Sequence, residues 1–303
     1  MKIVVSGSTG LIGSALTSAL TRRGDKVVPL VRRRVTPGEQ ALTWDPERGT
    51  IDRTGLEGTD AVIHLAGENV FGRWSPAKKQ RIYDSRVNGT RLVSDALAGL
   101  HRPPATLLAA SAIGYYGDRG EETVTEDSAP GEDFLAHVAR DWEAATAPAT
   151  RAGIRVVNMR TGVVLTTAGG ALPKMLPAFR LGLGGPVGSG NQYLSWIVLD
   201  DIINAILHLL GNPNLVGPVN MTAPTPLTNR DFAKTLGKVL GRPAVVTVPA
   251  FALRIAFGAD GAAMVQSGQR VLPARLVASG FRFSFREVEP ALRHLLAPSE
   301  RPR

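Results

Sequence analysis

The chain contains no cysteine, which excludes disulfides, thiolate metal sites and a thiol nucleophile. It also lacks any apolar run approaching the roughly 18–20 residues that cross a bilayer, so no membrane partner is expected. Strand-type residues begin at Lys2, and no signal peptide is expected ahead of them. Together these absences suit a cytoplasmic protein. Lysine is scarce: the net charge of +9 rests on 35 basic residues of which seven are Lys. The basic clusters, Arg32-Arg33-Arg34, Lys78-Lys79 and the tail at Arg301 and Arg303, are too short for the cationic stripe that a phosphate backbone requires. Nucleic acid is therefore not expected as a partner. The five histidines are scattered, and no metal site is expected.

What is present is an ordinary globular composition, 44% hydrophobic and 20% charged over 303 residues, enough for one large α/β domain with an appended lobe or for two domains. Lys2–Ser6 is an apolar run of strand type, and a glycine-punctuated turn follows it. Leu11, Ile12, Ala15, Leu16, Ala19 and Leu20 then recur at helical spacing, Gly24 stands at the C-cap position, and Lys26–Val31 reads as the next strand. Further buried-type strands are 61–65, 106–110, 154–159 and 218–221, with helices near 75–100, 134–151 and 200–210. Strands alternating with helices specify a doubly wound parallel sheet, a Rossmann architecture with right-handed crossovers. The many glycines between 169 and 190 read as long loops, and Phe281–Phe285 as a late strand. The expected organisation is a Rossmann domain over 1–165, to which 196–222 returns. A smaller α/β lobe on the substrate side would comprise 166–195 and 223–297, with a frayed tail at 298–303.

Gly7-Ser8-Thr9-Gly10-Leu11-Ile12-Gly13 joins the first strand to the first helix. Glycines at this spacing let the backbone turn tightly and approach a pyrophosphate, which the free amides and positive end of the helix then hold. Gly7, Thr9, Gly10, Leu11, Ile12 and Gly13 are accordingly assigned to cofactor binding. At the end of the second strand, NAD-binding proteins carry Asp or Glu for the ribose 2′-hydroxyl. Here Arg32 and Arg33 stand there, and no acid occurs before Glu39. A guanidinium suits a 2′-phosphate where a carboxylate would repel it, so the expected cofactor is NADP(H).

The glycine motif, with His64-Leu65-Ala66-Gly67 after a later strand, resembles the extended short-chain dehydrogenase/reductase group. Several strings narrow the resemblance: Ala66-Gly67-Glu68-Asn69, Ser85-Arg86-Val87-Asn88-Gly89-Thr90-Arg91, Gly114-Tyr115-Tyr116-Gly117, Arg160–Leu165, Gly184–Gly190 and Gly268–Pro273. They are similar to the "epimerase family protein" group of the SDR39U type, whose C-terminal segment is a domain of unknown function. The resemblance runs from residue 1 to about 296. It implies an NADP(H)-binding Rossmann domain under a smaller C-terminal lobe, and adds Leu65, Ala66, Gly67 and Ser111 to the cofactor-binding set. It implies no particular substrate.

Enzymes of the wider group use a Tyr-x-x-x-Lys pair, in which Tyr is the acid/base and Lys lowers its pKa. The residues four beyond Tyr83, Tyr115, Tyr116 and Tyr193 are Val87, Arg119, Gly120 and Ile197, and no Lys lies between Lys79 and Lys174. The pair is absent. The usual active-site Ser falls at Ala112 or at the neighbouring Ser111, and Arg86 replaces the usual Asn. On its helix Arg86 shares a sector with Ile82, Gly89, Val93, Ala96 and Leu97. A cation there needs a partner, either a cofactor phosphate or ribose or an internal carboxylate.

Catalytic residues are not identified beyond two candidates. Tyr116 would donate a proton or simply pack in its loop. Glu68, with Asn69, would line the substrate pocket or form a capped turn. His64 reads as a core histidine, Trp196 as core, Gln192 as a substrate contact and His137 as a remote acid/base candidate. The seven acids of 118–133 read as a solvated mobile lid. Three functions remain open: an NADP(H)-dependent oxidoreductase or epimerase-like enzyme acting on a small molecule, a non-catalytic NADP(H)-binding redox sensor, and a nucleotide-sugar epimerase.

Overall fold

Strand β1 (Lys2–Ser6) buries Ile3, Val4 and Val5 completely, so its apolar side chains face a core on both sides, as a central parallel strand requires. A computed structural model describes residues 1–36 and 38–297 of the chain. After β1 come α1 (Leu11–Arg22), β2 (Lys26–Val31), β3 (Leu42–Asp45), β4 (Thr50–Ile51), α2 (Arg53–Leu56) and β5 (Ala61–His64). The middle of the chain forms α3 (Pro76–Ala98), β6 (Thr106–Ala112), β7 (Thr123–Val124), α4 (Phe134–Ala144), α5 (Ala147–Arg151), β8 (Arg155–Thr161) and β9 (Val163–Leu165). There follow α6 (Leu172–Arg180), β10 (Tyr193–Leu194), β11 (Trp196–Val198), α7 (Leu199–Gly211), β12 (Gly217–Met221) and β13 (Leu227–Thr228). The chain closes with α8 (Asn229–Leu240), α9 (Ala250–Gln266), β14 (Arg270–Val271), α10 (Ala274–Ala278) and α11 (Val288–Leu296).

Eight strands form the central sheet in the order β12-β8-β6-β5-β1-β2-β3-β4, and every pair is parallel except β3–β4. The chain leaves β1 towards β2 on one side and returns to β5 on the other. This reversal opens a crevice at the carboxyl ends of β1 and β5, where open α/β sheets take their ligands. The sheet's two faces bury separate cores. One gathers Leu16, Leu20, Ile202 and Ile206 from α1 and α7, the other Val93, Ala96 and Leu97 from α3. A third core packs α6, α8 and α11 through Leu172, Phe179, Phe232 and Leu292. Leu276, Phe281 and Phe283 pack with α1 and α7 on the central sheet rather than with that third core.

Local departures from the sequence reading have local causes. The stretch expected as one helix over 134–151 breaks at Ala145–Thr146. Pro148 cannot donate to Ala144, and the Thr146 hydroxyl folds back onto the Glu143 carbonyl at 2.7 Å. Within the expected loop of 169–190 lies α6, whose Leu172, Leu176 and Phe179 are buried at helical spacing. Phe281–Phe285 is irregular rather than a strand. The buried Asp201 carboxylate accepts the Ser284 and Phe285 amides at 2.8 and 3.1 Å, so a side chain replaces a strand partner. The 118–133 stretch is anchored as well as solvated: six of its seven acids are exposed, but β7 pairs with β14, and Glu126 is buried with Oε1 accepting from the Asn220 and Arg275 amides. The tail at 298–303 lies outside the described residues. No helix among the described residues is long and apolar enough to cross a membrane.

Candidate functional site

The turn from β1 into α1 is built by what glycine lacks. Gly7 has φ +68°, and a Cβ there would stand 2.9 Å from the Ala66 nitrogen at the end of β5. A Cβ on Gly13 would stand 2.1 Å from the Gly7 carbonyl oxygen. The Gly10 amide donates to that oxygen at 3.0 Å, and the first helical bond runs from Ser14 to the Gly10 carbonyl at 2.9 Å. The amides of Leu11, Ile12 and Gly13 are thereby left without helical acceptors. No side chain caps them, so the positive end of α1 faces the crevice as an anion site.

This turn forms one wall of a cleft of about 360 Å³. The expected Gly7, Thr9, Gly10, Arg32, Arg33, Leu65, Ala66 and Gly67 line it, joined by Trp44, Pro46 and Ser85. Trp44 lies within the short β3 and Pro46 directly follows it; a strand of so few residues gives no periodic signal, and the lone Trp-Asp-Pro after a basic turn is the only mark these residues leave in the sequence. Arg32 and Arg33 differ in their commitments. Arg33 is paired with Glu39, whereas Arg32 makes no ion pair or side-chain hydrogen bond among the described residues.

Ser6 and His64 set the floor. The Ser6 hydroxyl accepts the Leu65 and Ala66 amides at 3.1 and 3.3 Å, so its one proton goes to His64 Nδ1, 2.7 Å away. His64 is therefore the neutral Nε2–H tautomer, edge-on to Trp44 with ring centroids 5.5 Å apart. Burial lowers its pKa to about 4. An unfolded His binds its proton near 6.5, so between these values the unfolded state holds more protons and stability falls as pH falls. Urea unfolding should show a loss of about 3 kcal/mol attributable to this group from pH 6.5 to pH 4. His64→Asn should remove that part of the slope; equal slopes in the two proteins would refute the assignment.

Arg86, on α3, was expected at the cofactor but does not itself line the cleft; it stands beside the Gly67 wall. Its Nη1 donates to the Glu68 and Ile82 carbonyls at 3.0 and 3.3 Å, and its guanidinium lies 5.0 Å from the Trp142 ring centroid. A Cβ on Gly67 would approach it to 3.6 Å. Burial pulls its pKa down to about 10 against the opposing charge of Glu68. Among the described residues no carboxylate pairs with it, so the internal salt bridge is not formed. The Glu68 carboxylate is instead held by Lys78 at 2.6 Å, and chiefly this hydrogen bond lowers its pKa. It is a fixed anion, poorly suited to proton transfer, and the Asn69 side chain caps its own turn by accepting the Phe71 amide.

Residues 3–221 match the NAD dependent epimerase/dehydratase family. The chain belongs to that family. Residues 248–295 match a domain of unknown function, DUF1731. An epimerase family protein of Mycobacterium bovis is 44% identical over 291 residues, covering 96% of each chain. The human epimerase family protein SDR39U1 is 38% identical over 98% of this chain and 100% of its own. A crystal structure of human SDR39U1 with NADPH has a TM-score of 0.89 at 37% identity, covering 97% of this chain and 99% of that one. A nucleoside-diphosphate sugar epimerase from Corynebacterium glutamicum has a TM-score of 0.80 at 36% identity, covering 98% of this chain and 58% of that one.

In this member of the epimerase family, helix α4 carries neither Tyr nor Lys. Tyr116 does not replace them. It is fully buried, its hydroxyl donating to Asn220 Oδ1 at 2.7 Å and accepting from Arg160 at 3.0 Å. Burial pushes its pKa up to about 12. Tyr116 is thus a packed loop aromatic, and the proton-donor candidate is corrected. Ser111 is also committed elsewhere, donating to Glu143 at 2.7 Å beneath the surface, and does not line the cleft. Leu11 and Ile12 offer backbone amides alone; the Leu11 side chain meets Gly169, and Ile12 packs into the core. Trp196 is core, as expected. His137 lies on the exposed face of α4, and the Gln192 amide is bound to the Val187 carbonyl.

The feature that the sequence motifs did not reveal is the ion pair behind the site. Arg160 on β8 and Glu143 on α4 form a bidentate pair with both contacts at 2.8 Å. Arg160 stacks 3.5 Å from the Tyr115 ring centroid. Burial opposes its charge, but the bonds and charge of Glu143 prevail and raise its pKa above the ordinary value. Their sequence separation of 17 gave no hint that the two would meet.

Proposed function

We propose that this chain binds NADP(H) and uses it in an oxidoreductase or epimerase-like reaction on a small carbonyl or alcohol substrate. One observation carries the reading: the glycine-walled cleft is lined by Arg32, a guanidinium with no carboxylate partner among the described residues, and Arg86, likewise without an ion pair there, stands beside its Gly67 wall. The residues fit the dinucleotide. Gly7 and Gly13 leave the space that a Cβ would fill, the α1 amides take the pyrophosphate, and Arg32 takes the 2′-phosphate. NADPH, when bound, supplies hydride. The chain's own contribution at the Gly67 end is a half-buried cation, Arg86, which favours negative charge developing on a substrate oxygen. The segments 166–195 and 223–297 supply the substrate side of the site. The NADPH-bound human relative supports the cofactor, and the reaction proceeds without a tyrosyl acid.

The test is titration with NADPH and NADH, followed by NADPH oxidation against a panel of aldehydes, ketones and UDP-sugars. NADPH should bind more tightly than NADH and be consumed with at least one class. Arg32→Asp should weaken NADPH by about 1–3 kcal/mol and shift preference towards NADH. An unchanged ratio would remove Arg32 as the discriminator. The burial of Tyr116 and the engagement of Ser111 favour a second reading, a redox sensor that binds NADP(H) without turnover. Tight binding with no consumption, and different conformations with NADP⁺ and NADPH, would decide for the sensor.

A further inference from the structure

The loop after β2 carries its own anion at the basic end of the cleft. Arg33 closes its fork on Glu39: Nη1 donates to Oε2 at 2.9 Å, and Nη2 donates to Oε1. Arg33 Nη1 also reaches the Arg34 carbonyl at 3.0 Å. The same Glu39 oxygen, Oε2, accepts the Thr36 amide at 3.3 Å and the Thr36 hydroxyl at 3.2 Å. Two parallel N–H donors on two anionic oxygens is the arrangement a phosphate would use with this side chain. The groups face solvent, Arg33 being 59% and Glu39 29% exposed, and ion pairs of this kind exchange readily. The hydrogen bond from Arg33 holds Glu39 well below the usual carboxylate range, at about 2, so it is an anion at neutral pH.

Building on the NADP(H) reading of this cleft, we infer that Glu39 is a specificity-determining residue, an internal occupant of the cation site for the 2′-phosphate. A phosphate arriving beside Arg32 and Arg33 either takes the Arg33 fork from Glu39 or lies next to Glu39 as a like charge. Both oppose it. A dinucleotide with a free 2′-hydroxyl meets no such opposition, and a carboxylate is the group that accepts such a hydroxyl. Glu39 therefore narrows the preference for the phosphorylated form, while Arg32 provides the uncontested phosphate contact. The sequence held the clue: Glu39 is the first acid after the basic turn, too late along the chain for the usual ribose contact but folded back upon Arg33 by the loop.

The experiment titrates NADPH and NADH against the full-length wild type, Glu39→Gln, Arg33→Ala and the double variant at fixed ionic strength. Glu39→Gln should tighten NADPH by about three- to tenfold and leave NADH unchanged or weaker. In the Arg33→Ala background the gain should shrink, because there is no fork to release. If Glu39→Gln leaves NADPH affinity unchanged or weakens it while wild-type protein binds NADPH, Glu39 is a strut of the loop and the inference is overturned alone. If wild-type protein binds neither nucleotide, the cofactor reading fails and takes this inference with it.

Discussion

Gly13→Ala is expected to reduce NADPH affinity by at least about 100-fold, equivalent to about 2.7 kcal/mol, and to destabilise the unliganded protein by about 1–3 kcal/mol. The clash lies within the protein itself: the added methyl would stand 2.1 Å from the Gly7 oxygen, 2.8 Å from the Gly7 carbonyl carbon and 2.9 Å from the Ser8 Cα. All three are backbone atoms of the turn, which no side-chain rotation can clear. Relief requires α1 to move away from the end of β1, carrying with it the amides that face the crevice. Gly10 is the contrast, since its Cβ would meet the Gly7 oxygen at 3.2 Å, which a shift of a few tenths of an ångström accommodates. Thermal unfolding without ligand should therefore separate the two variants, with Gly10→Ala near wild type. A Gly13→Ala protein with wild-type melting and NADPH affinity would show that the close approach of helix and turn is not required.

Glu143→Gln should lower stability by about 3–5 kcal/mol. The Arg160 and Glu143 side chains are 3% and 12% exposed, so removing one charge leaves the other dehydrated. The amide of Gln would also set its NH₂ against a guanidinium that has only donors, and Ser111 would lose its charged acceptor. Replacing both members by apolar residues of similar volume should recover most of the loss, because a buried pair repays little beyond its own desolvation. The double variant tests the interpretation separately from foldability. If urea denaturation finds Glu143→Gln as stable as wild type, the pair is not dehydrated as its geometry implies. Because the network continues from Arg160 to Tyr116 and on to Asn220, whose side chain donates to the Leu272 carbonyl at 2.9 Å, its loss should also loosen the 267–275 segment. Hydrogen exchange of the Val271 amide, which donates to Ser195 Oγ at 2.9 Å, reports that loosening directly.

The central sheet and its nucleotide end were legible because their signals are local. Lys2–Ser6, Lys26–Val31 and Ala61–His64 are unbroken apolar runs, and the glycine spacing between the first strand and first helix admits few alternatives. Arg32 announced itself by type and position. Arg86 was legible as a question, a cation on an apolar stripe, and the structure answered half of it by pairing it with no carboxylate among the described residues. Other features were not legible. Short strands such as β3 bury too few residues to show a period, and α6 was hidden by flanking glycines and by Pro173 and Pro177, although Leu172, Leu176 and Phe179 keep helical spacing.

By itself the chain's order of residues determined the parallel sheet, the phosphate-binding turn, the basic residue at the end of β2 and the lack of a Tyr-x-x-x-Lys pair, since each depends on residues adjacent or one helical turn apart. Only the tertiary structure decided that Glu39 occupies Arg33, that Tyr116 and Ser111 are withdrawn from the cleft, and that Glu143 neutralises Arg160. Those outcomes turn on which charged and polar groups are buried together. Burial makes partner choice compulsory, because a dehydrated charge without a counter-charge is too costly to keep, and proximity in space between distant segments is what a linear reading does not contain.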